Sequence, residues 1–284
     1  MTRAGALSRK DRQAKQGPEL LTRIASAVVL AAVAIAATLA SPWSFLILLL
    51  LANVAVAWEW GRLVRGIGQD AVGIVQVGSI AATAILIAIG HVQYGLFLLG
   101  AAIVAILVTD RPPARALWSS AGVVYVGLPT AALVWLRGDD VLGAIAVLYV
   151  LLVAWTTDTA SYAAGRLLGG PKLAPRVSPQ KTWSGFIIGS LAPAVIGYAF
   201  AFGLNGTSPW RLALVSIVLA LACQAGDLIE SAVKRHFGTK DMSQLIPGHG
   251  GLLDRIDGFL LAAAVAALIA LRDPANPASG LLIW

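Results

Sequence analysis

Residues 211–271 read RLALVSIVLALACQAGDLIESAVKRHFGTKDMSQLIPGHGGLLDRIDGFLLAAAVAALIAL. Two apolar runs, 211–233 and 256–271, flank and overlap a polar stretch, Ser231–Asp257, that holds four Lys or Arg, three Asp, two His and the pair Gly250–Gly251. An α-helix rises about 1.5 Å per residue, so about 20 apolar residues cross the hydrocarbon core of a bilayer. Each run is of that order, and the charges between them must leave the lipid at one face. The chain therefore reads as a polytopic membrane protein with its chemistry where such polar segments emerge.

The pattern repeats toward the N-terminus. Of 284 residues, 58% are hydrophobic and 12% charged, against a charged share of about 25% in soluble domains. Nine spanning runs are predicted: 22–40, 43–60, 72–90, 94–109, 118–136, 141–164, 183–203, 211–233 and 256–271. The fold class is all-α, with about nine transmembrane helices. Residues 1–21 form a basic cytoplasmic tail. Residues 22–140 form a scaffold of about five helices with almost no interior charge. Residues 141–284 are expected to form the catalytic region, about four helices with two long cytoplasmic loops, of a length that signals function or disorder. The basic tail ahead of the first run is unlike a signal peptide, and SPWS at Ser41–Ser44 predicts a tight hairpin into the second helix. The single cysteine, Cys223, lies inside a span, which excludes an intramolecular disulfide or a cysteine-rich metal site and leaves a small packing residue.

With the N-terminus in the cytoplasm, 18 of the 21 Lys and Arg fall on the cytoplasmic side, leaving Arg137, Arg211 and Arg272 outside. This is the positive-inside pattern, so the N-terminus is expected inside and the C-terminus outside. The net charge of +7 then faces anionic headgroups and cytoplasmic nucleotides, and implies no nucleic-acid partner. Trp43, Trp58, Trp60, Trp118, Trp135, Trp183 and Trp210 fall near span ends, as interfacial anchors would. Trp155 lies deep in the sixth run.

Acids inside a bilayer are costly and line cavities or pathways by default. Four are predicted there: Glu59, Asp158, Asp227 and Glu230. Asp227 and Glu230 share a helix face, whereas Glu59, between Trp58 and Trp60, can simply reach the interface. Asp254 and Asp257 repeat the three-residue spacing where the last span begins; capping of that helix is their plainer reading. Asp227 and Asp254 flank one loop, and two carboxylates on neighbouring helices make a hard-oxygen site suited to Mg2+, which takes further oxygens from substrate phosphates. Lys234, Arg235 and Lys240 lie at the surface to neutralise phosphate, and His249, Gly250 and Gly251 supply a bend that lets amides approach an anion. The other long loop, KLAPRVSPQKTWSG at Lys172–Gly185, carries Lys172, Arg176 and Lys181, a Ser178–Pro179 turn, and Thr182 at a helix start. It reads either as an anion site or as an ordinary basic loop with a capping threonine.

Ser231, Lys234-Arg235, Lys240-Asp241, Ser243, Pro247, His249-Gly250-Gly251 and Asp254-Arg255-x-Asp257 together resemble the signature of the phosphatidate cytidylyltransferases. SPQKTWSG resembles that family's second region, SPKKTWEG, with Gln180 and Ser184 in place of a Lys and a Glu, so neither is given a catalytic role. The resemblance covers about residues 155–270 and implies transfer of CMP from CTP to phosphatidate, giving CDP-diacylglycerol and pyrophosphate for phospholipid synthesis. It implies Mg2+, alone or with a second cation, a homodimer, and a multi-pass place in the inner (plasma) membrane with the site facing the cytoplasm. Asp227 and Asp254 become the first metal ligands, with Asp257 and Asp158 beside them. Asp227, Asp254, Lys240 and His249 are the catalytic candidates. Lys172, Ser178, Lys181, Thr182, Lys234, Arg235, Gly250, Gly251 and Arg255 are the substrate-binding ones, with Lys234 and Arg235 directed to the lipid phosphate. A CTP-dependent lipid kinase and an ion or solute transporter are the competing readings.

Overall fold

The computed structural model describes residues 9–246 and 250–284, with 9–24 given by their helical backbone. His249 and Pro247 lie outside the described residues. The elements in order are α1 (Arg9–Ala40), α2 (Pro42–Arg65), α3 (Ala71–Ala88), α4 (Val92–Thr109), α5 (Pro113–Arg137), α6 (Gly143–Leu167), β1 (Lys172–Ala174), β2 (Ser178–Thr182), α7 (Trp183–Leu191), α8 (Ala194–Ala201), α9 (Pro209–His236), α10 (Leu253–Ala270) and α11 (Pro277–Leu282).

Local signals set the boundaries. Ser41 caps α2 through a reciprocal box with Ser44, and Pro42 occupies the first turn, where its missing N–H costs nothing. The predicted SPWS hairpin is thus a single residue between two helices. Gly66, at φ 74°, ends α2 with its N–H on the Arg62 carbonyl, a left-handed cap natural to glycine. Asp70 caps α3, accepting from Gly73 N at 2.8 Å while holding Arg65 Nε at 2.8 Å.

Seven stretches among the described residues are long and apolar enough to cross a membrane: α2, α3, α4, α5, α6, the combined Trp183–Ala201, and α9. The prediction of nine differs at its ends. The apolar part of α1 is Ala25–Ala40, and α10 carries Asp254, Arg255 and Asp257 within its 18 residues. The fold is mostly helical, as the sequence predicts, with one addition. The loop after α6 folds into an antiparallel hairpin, β1 with β2, pairing Lys172 with Thr182 and Ala174 with Ser178.

Two packed cores organise the bundle. One joins α5, α6, α9, α10 and α11 around Tyr149, Leu212, Leu219 and Ala266. The other joins α2 to α5 with Leu253 and Leu260 of α10, so the last long helix is packed into both halves of the chain. Trp60 belongs to this core: it is 2% exposed and its Nε1 donates to the Trp118 carbonyl at 2.9 Å. It is not the interfacial anchor its position predicted, whereas Trp43 and Trp210 remain exposed. Glycines allow close helix approach, as in lipid-embedded bundles. A Cβ at Gly258 would lie 2.6 Å from Cys223 Sγ, and one at Gly185 would lie 2.7 Å from the Ser161 carbonyl oxygen.

Candidate active site

A polar cavity of about 700 Å³ opens between α6, the β1–β2 hairpin, the start of α7, and the facing parts of α9 and α10. Asp158 enters it from α6, Asp227 from α9 and Asp257 from α10, and each feels the negative charge of another across it. Lys181, at the end of β2, answers that charge: its Nζ stands 2.6 Å from Asp227 Oδ2. Thr182 closes the strand and caps α7, its hydroxyl accepting from Gly185 N at 3.2 Å, so the positive end of the α7 dipole lies at the cavity wall. Ser178, Lys234, Asp254 and Arg255 also line it.

Asp254 and Lys234 are bound more tightly than their sequence positions predicted. Lys234, expected at the surface to meet a lipid phosphate, lies between two carboxylates, 2.5 Å from Glu230 Oε2 and 2.7 Å from Asp254 Oδ1. The other oxygen of Asp254 accepts from Met242 N at 3.0 Å and Gly251 N at 2.9 Å. Asp254 thus ties α9, α10 and their connecting loop together, close to the capping reading. Arg235 is exposed, and its Nε donates to the Val177 carbonyl at 3.2 Å, fastening the hairpin to α9. Lys172 and Lys240 are exposed outside the cavity lining, and Gly250 and Gly251 form part of the turn before α10.

The structure also brings in groups that the sequence did not single out. Ser161, Tyr162, Arg166 and Gln224 line the same cavity, and so does Gln180, which had no assigned role. Gln224 Nε2 donates to Ser190 Oγ at 2.7 Å and to the Phe186 carbonyl at 3.1 Å, fixing α7 against α9. Helical spacing could have placed Ser161, Tyr162 and Arg166 near the face of Asp158; for Gln224 no local signal existed. Glu59, which from its sequence position could simply reach the interface, is fully buried and reaches the loop before α10.

Among the described residues no three His, Cys, Asp or Glu side chains form a group able to hold a metal ion by themselves. The cavity instead offers carboxylates from separate helices, with Asp227 38% exposed. That donor set suits a hard cation such as Mg2+, which takes one or two carboxylates and completes its shell with waters and substrate phosphates; it does not suit a closed protein cage.

A second, apolar cavity of about 360 Å³ lies between α1, α2, α5, α6 and α10, walled by residues such as Leu30, Leu49, Trp155 and Phe259. It shares Asp158 and Arg255 with the polar cavity. The apolar cavity and the charged one are therefore walled in part by the same acid and base, an arrangement that places an apolar lining beside groups able to meet an anionic head.

A family model described as the Cytidylyltransferase family matches residues 21–271. The chain is similar to a phosphatidate cytidylyltransferase of Brucella suis biovar 1 (strain 1330), with 37% identity over 252 residues, 88% of this chain and 92% of that protein. The same figures hold for the phosphatidate cytidylyltransferase of Brucella abortus biovar 1 (strain 9-941). One from Staphylococcus haemolyticus (strain JCSC1435) is 40% identical over 151 residues, 53% of this chain and 57% of its own.

Proposed function

The chain belongs to the cytidylyltransferase family, and from that premise we propose that it transfers CMP from CTP to phosphatidate, giving CDP-diacylglycerol and pyrophosphate. The observation that carries the reading is that an apolar and a polar cavity share Asp158 and Arg255 in their walls. The acyl chains of phosphatidate lie in the apolar cavity and its phosphate enters beside Arg255. The triphosphate of CTP occupies the other side of the polar cavity, against Lys181 and the N-terminus of α7.

In this reading a phosphatidate oxygen attacks the α-phosphorus of CTP in line. One P–O bond forms to the lipid phosphate, the bond between the α-phosphorus and the bridging oxygen breaks, and pyrophosphate leaves with that electron pair. The attacking oxygen is already anionic at neutral pH, so no strong base is required. The barrier lies in bringing two polyanions together, and charge neutralisation and positioning supply most of the catalysis. Lys181 leaves Asp227 for a CTP phosphate, Arg255 offsets the lipid phosphate, and Thr182 holds the start of α7 toward the triphosphate. Asp227, with Asp158 and Asp257, would hold Mg2+, which supplies charge stabilisation for the leaving pyrophosphate; Asp254 holds the geometry of the loop. The N-terminus lies in the cytoplasm, α1 and α10 complete a set of nine spans, and the polar cavity opens to the cytoplasm from the inner membrane. A homodimer is the proposed assembly.

The test is turnover by purified protein in detergent or nanodiscs with CTP and phosphatidate, with and without Mg2+. Mg2+-dependent formation of CDP-diacylglycerol and pyrophosphate in equal amounts is expected. Release of CDP with phosphorylation of a lipid alcohol would assign a lipid kinase, and solute flux without CTP turnover a transporter; either result overturns the reading.

A further inference from the structure

Glu59 lies in the next-to-last turn of α2 with 0% of its surface exposed. Its Oε1 accepts the Ser243 hydroxyl at 2.5 Å and the Leu252 N–H at 2.8 Å, and its Oε2 accepts the Leu253 N–H at 2.8 Å. The three donors belong to the segment that leads into Asp254, Arg255 and Asp257, 184 to 194 residues further along the chain. Among the described residues no Lys, Arg or His forms an ion pair with Glu59. A buried carboxylate is tolerated where hydrogen bonds meet its lone pairs. Here the donors include N–H groups at the start of α10, which lack intrahelical partners and sit at the positive end of the helix dipole. Leu252, the cap residue of α10, supplies no side-chain cap, so the cap comes from another helix in the other half of the chain.

The grip leaves little slack. A Cβ on Gly251 would lie 2.8 Å from Glu59 Oε1 and 2.9 Å from Asp254 Oδ2, so the backbone of this turn is held between two carboxylates. We infer that Glu59 is a positioning residue: from α2 it fixes the height and rotation of the N-terminus of α10, and so sets where Asp254 and Asp257 stand in the polar cavity. The inference rests on the assignment of that cavity to cytidylyl transfer. Glutamate suits the position because both its side-chain oxygens accept. Glu59→Gln turns one acceptor into an amide donor facing an N–H or O–H, and Glu59→Asp falls short by one methylene.

The deciding experiment records rate against Mg2+ concentration for the wild type and Glu59→Gln at saturating CTP and phosphatidate, together with hydrogen exchange at the amides of Leu252 and Leu253. The Mg2+ concentration giving half-maximal rate should rise about tenfold or more, the range found when groups that orient metal ligands are changed, and both amides should exchange faster. A role in folding alone would reduce the quantity of active enzyme while leaving the Mg2+ midpoint where it is in the wild type; that outcome, or unchanged exchange at both amides, overturns the inference. If Glu59→Gln does not accumulate as folded protein, Ser243→Ala removes one of the three donors and should move the midpoint in the same direction by a smaller factor, and an unmoved midpoint there overturns it equally. A wild type that makes no CDP-diacylglycerol would instead remove the assigned reaction, and the exchange measurement would still decide whether Glu59 holds α10.

Discussion

Lys181 and Asp227 face each other at 2.6 Å in the polar cavity, and they separate two jobs that a single charge count cannot. Asp227→Asn keeps the shape of the side chain and removes its charge, so it should abolish turnover while the protein still elutes as folded material in detergent. Near-normal CTP-dependent activity in that variant would remove Asp227 from the metal set. Lys181→Ala should mainly raise the apparent KM for CTP; an effect confined to the KM for phosphatidate would show that the two anion sites are reversed. Asp158 and Asp227 were legible in the sequence because charge inside an apolar run is costly and therefore conspicuous, and Lys181 and Thr182 because a base and a capping threonine stand just before a helix start. Glu59 and Lys234 have partners that the sequence did not show, for one shared reason. Their roles depend on partners across the fold: Ser243 and the amides of Leu252 and Leu253 for one, Asp254 as well as its own helix neighbour for the other.

At the scale of elements, hydropathy located the long helices well but not what joins them. The β1–β2 hairpin is only three and five residues long, and its alternation is too brief and too polar to separate from loop. Its place depends on Arg235 reaching Val177, a contact between distant segments. The break between α7 and α8 at Ala192–Pro193 was hidden inside one continuous apolar run. Close packing of α9 on α10 depends on glycine. Gly258→Ala would bring a methyl group 2.6 Å from Cys223 Sγ and 2.8 Å from its carbonyl oxygen, and such overpacking costs about 1–3 kcal/mol. Thermal unfolding in detergent should show a clear drop in Tm for Gly258→Ala and none for Gly100→Ala, where no atom lies within 4 Å of the added carbon. Equal Tm values for the two variants would contradict the described α9–α10 contact.

Across the whole molecule, the two halves predicted from sequence, 22–140 and 141–284, are locked together by α10, whose Leu253 and Leu260 lie in the core of the first half. Hydropathy cannot reveal that sharing, because lipid-facing and protein-facing apolar residues look alike. The charge asymmetry bears instead on orientation, and it is directly testable. In a Cys223→Ala background, a membrane-impermeant maleimide should label Lys240→Cys from the cytoplasmic side and Asp140→Cys from the opposite side. Reversed labelling would invert the proposed topology and put the polar cavity out of reach of cytoplasmic CTP. In the proposed reaction the α-phosphorus of CTP passes to the lipid, and parallel turnovers with α-labelled and γ-labelled CTP follow that atom. The α label should move into the organic-extractable lipid and the γ label should leave in pyrophosphate; γ label in the lipid would contradict cytidylyl transfer.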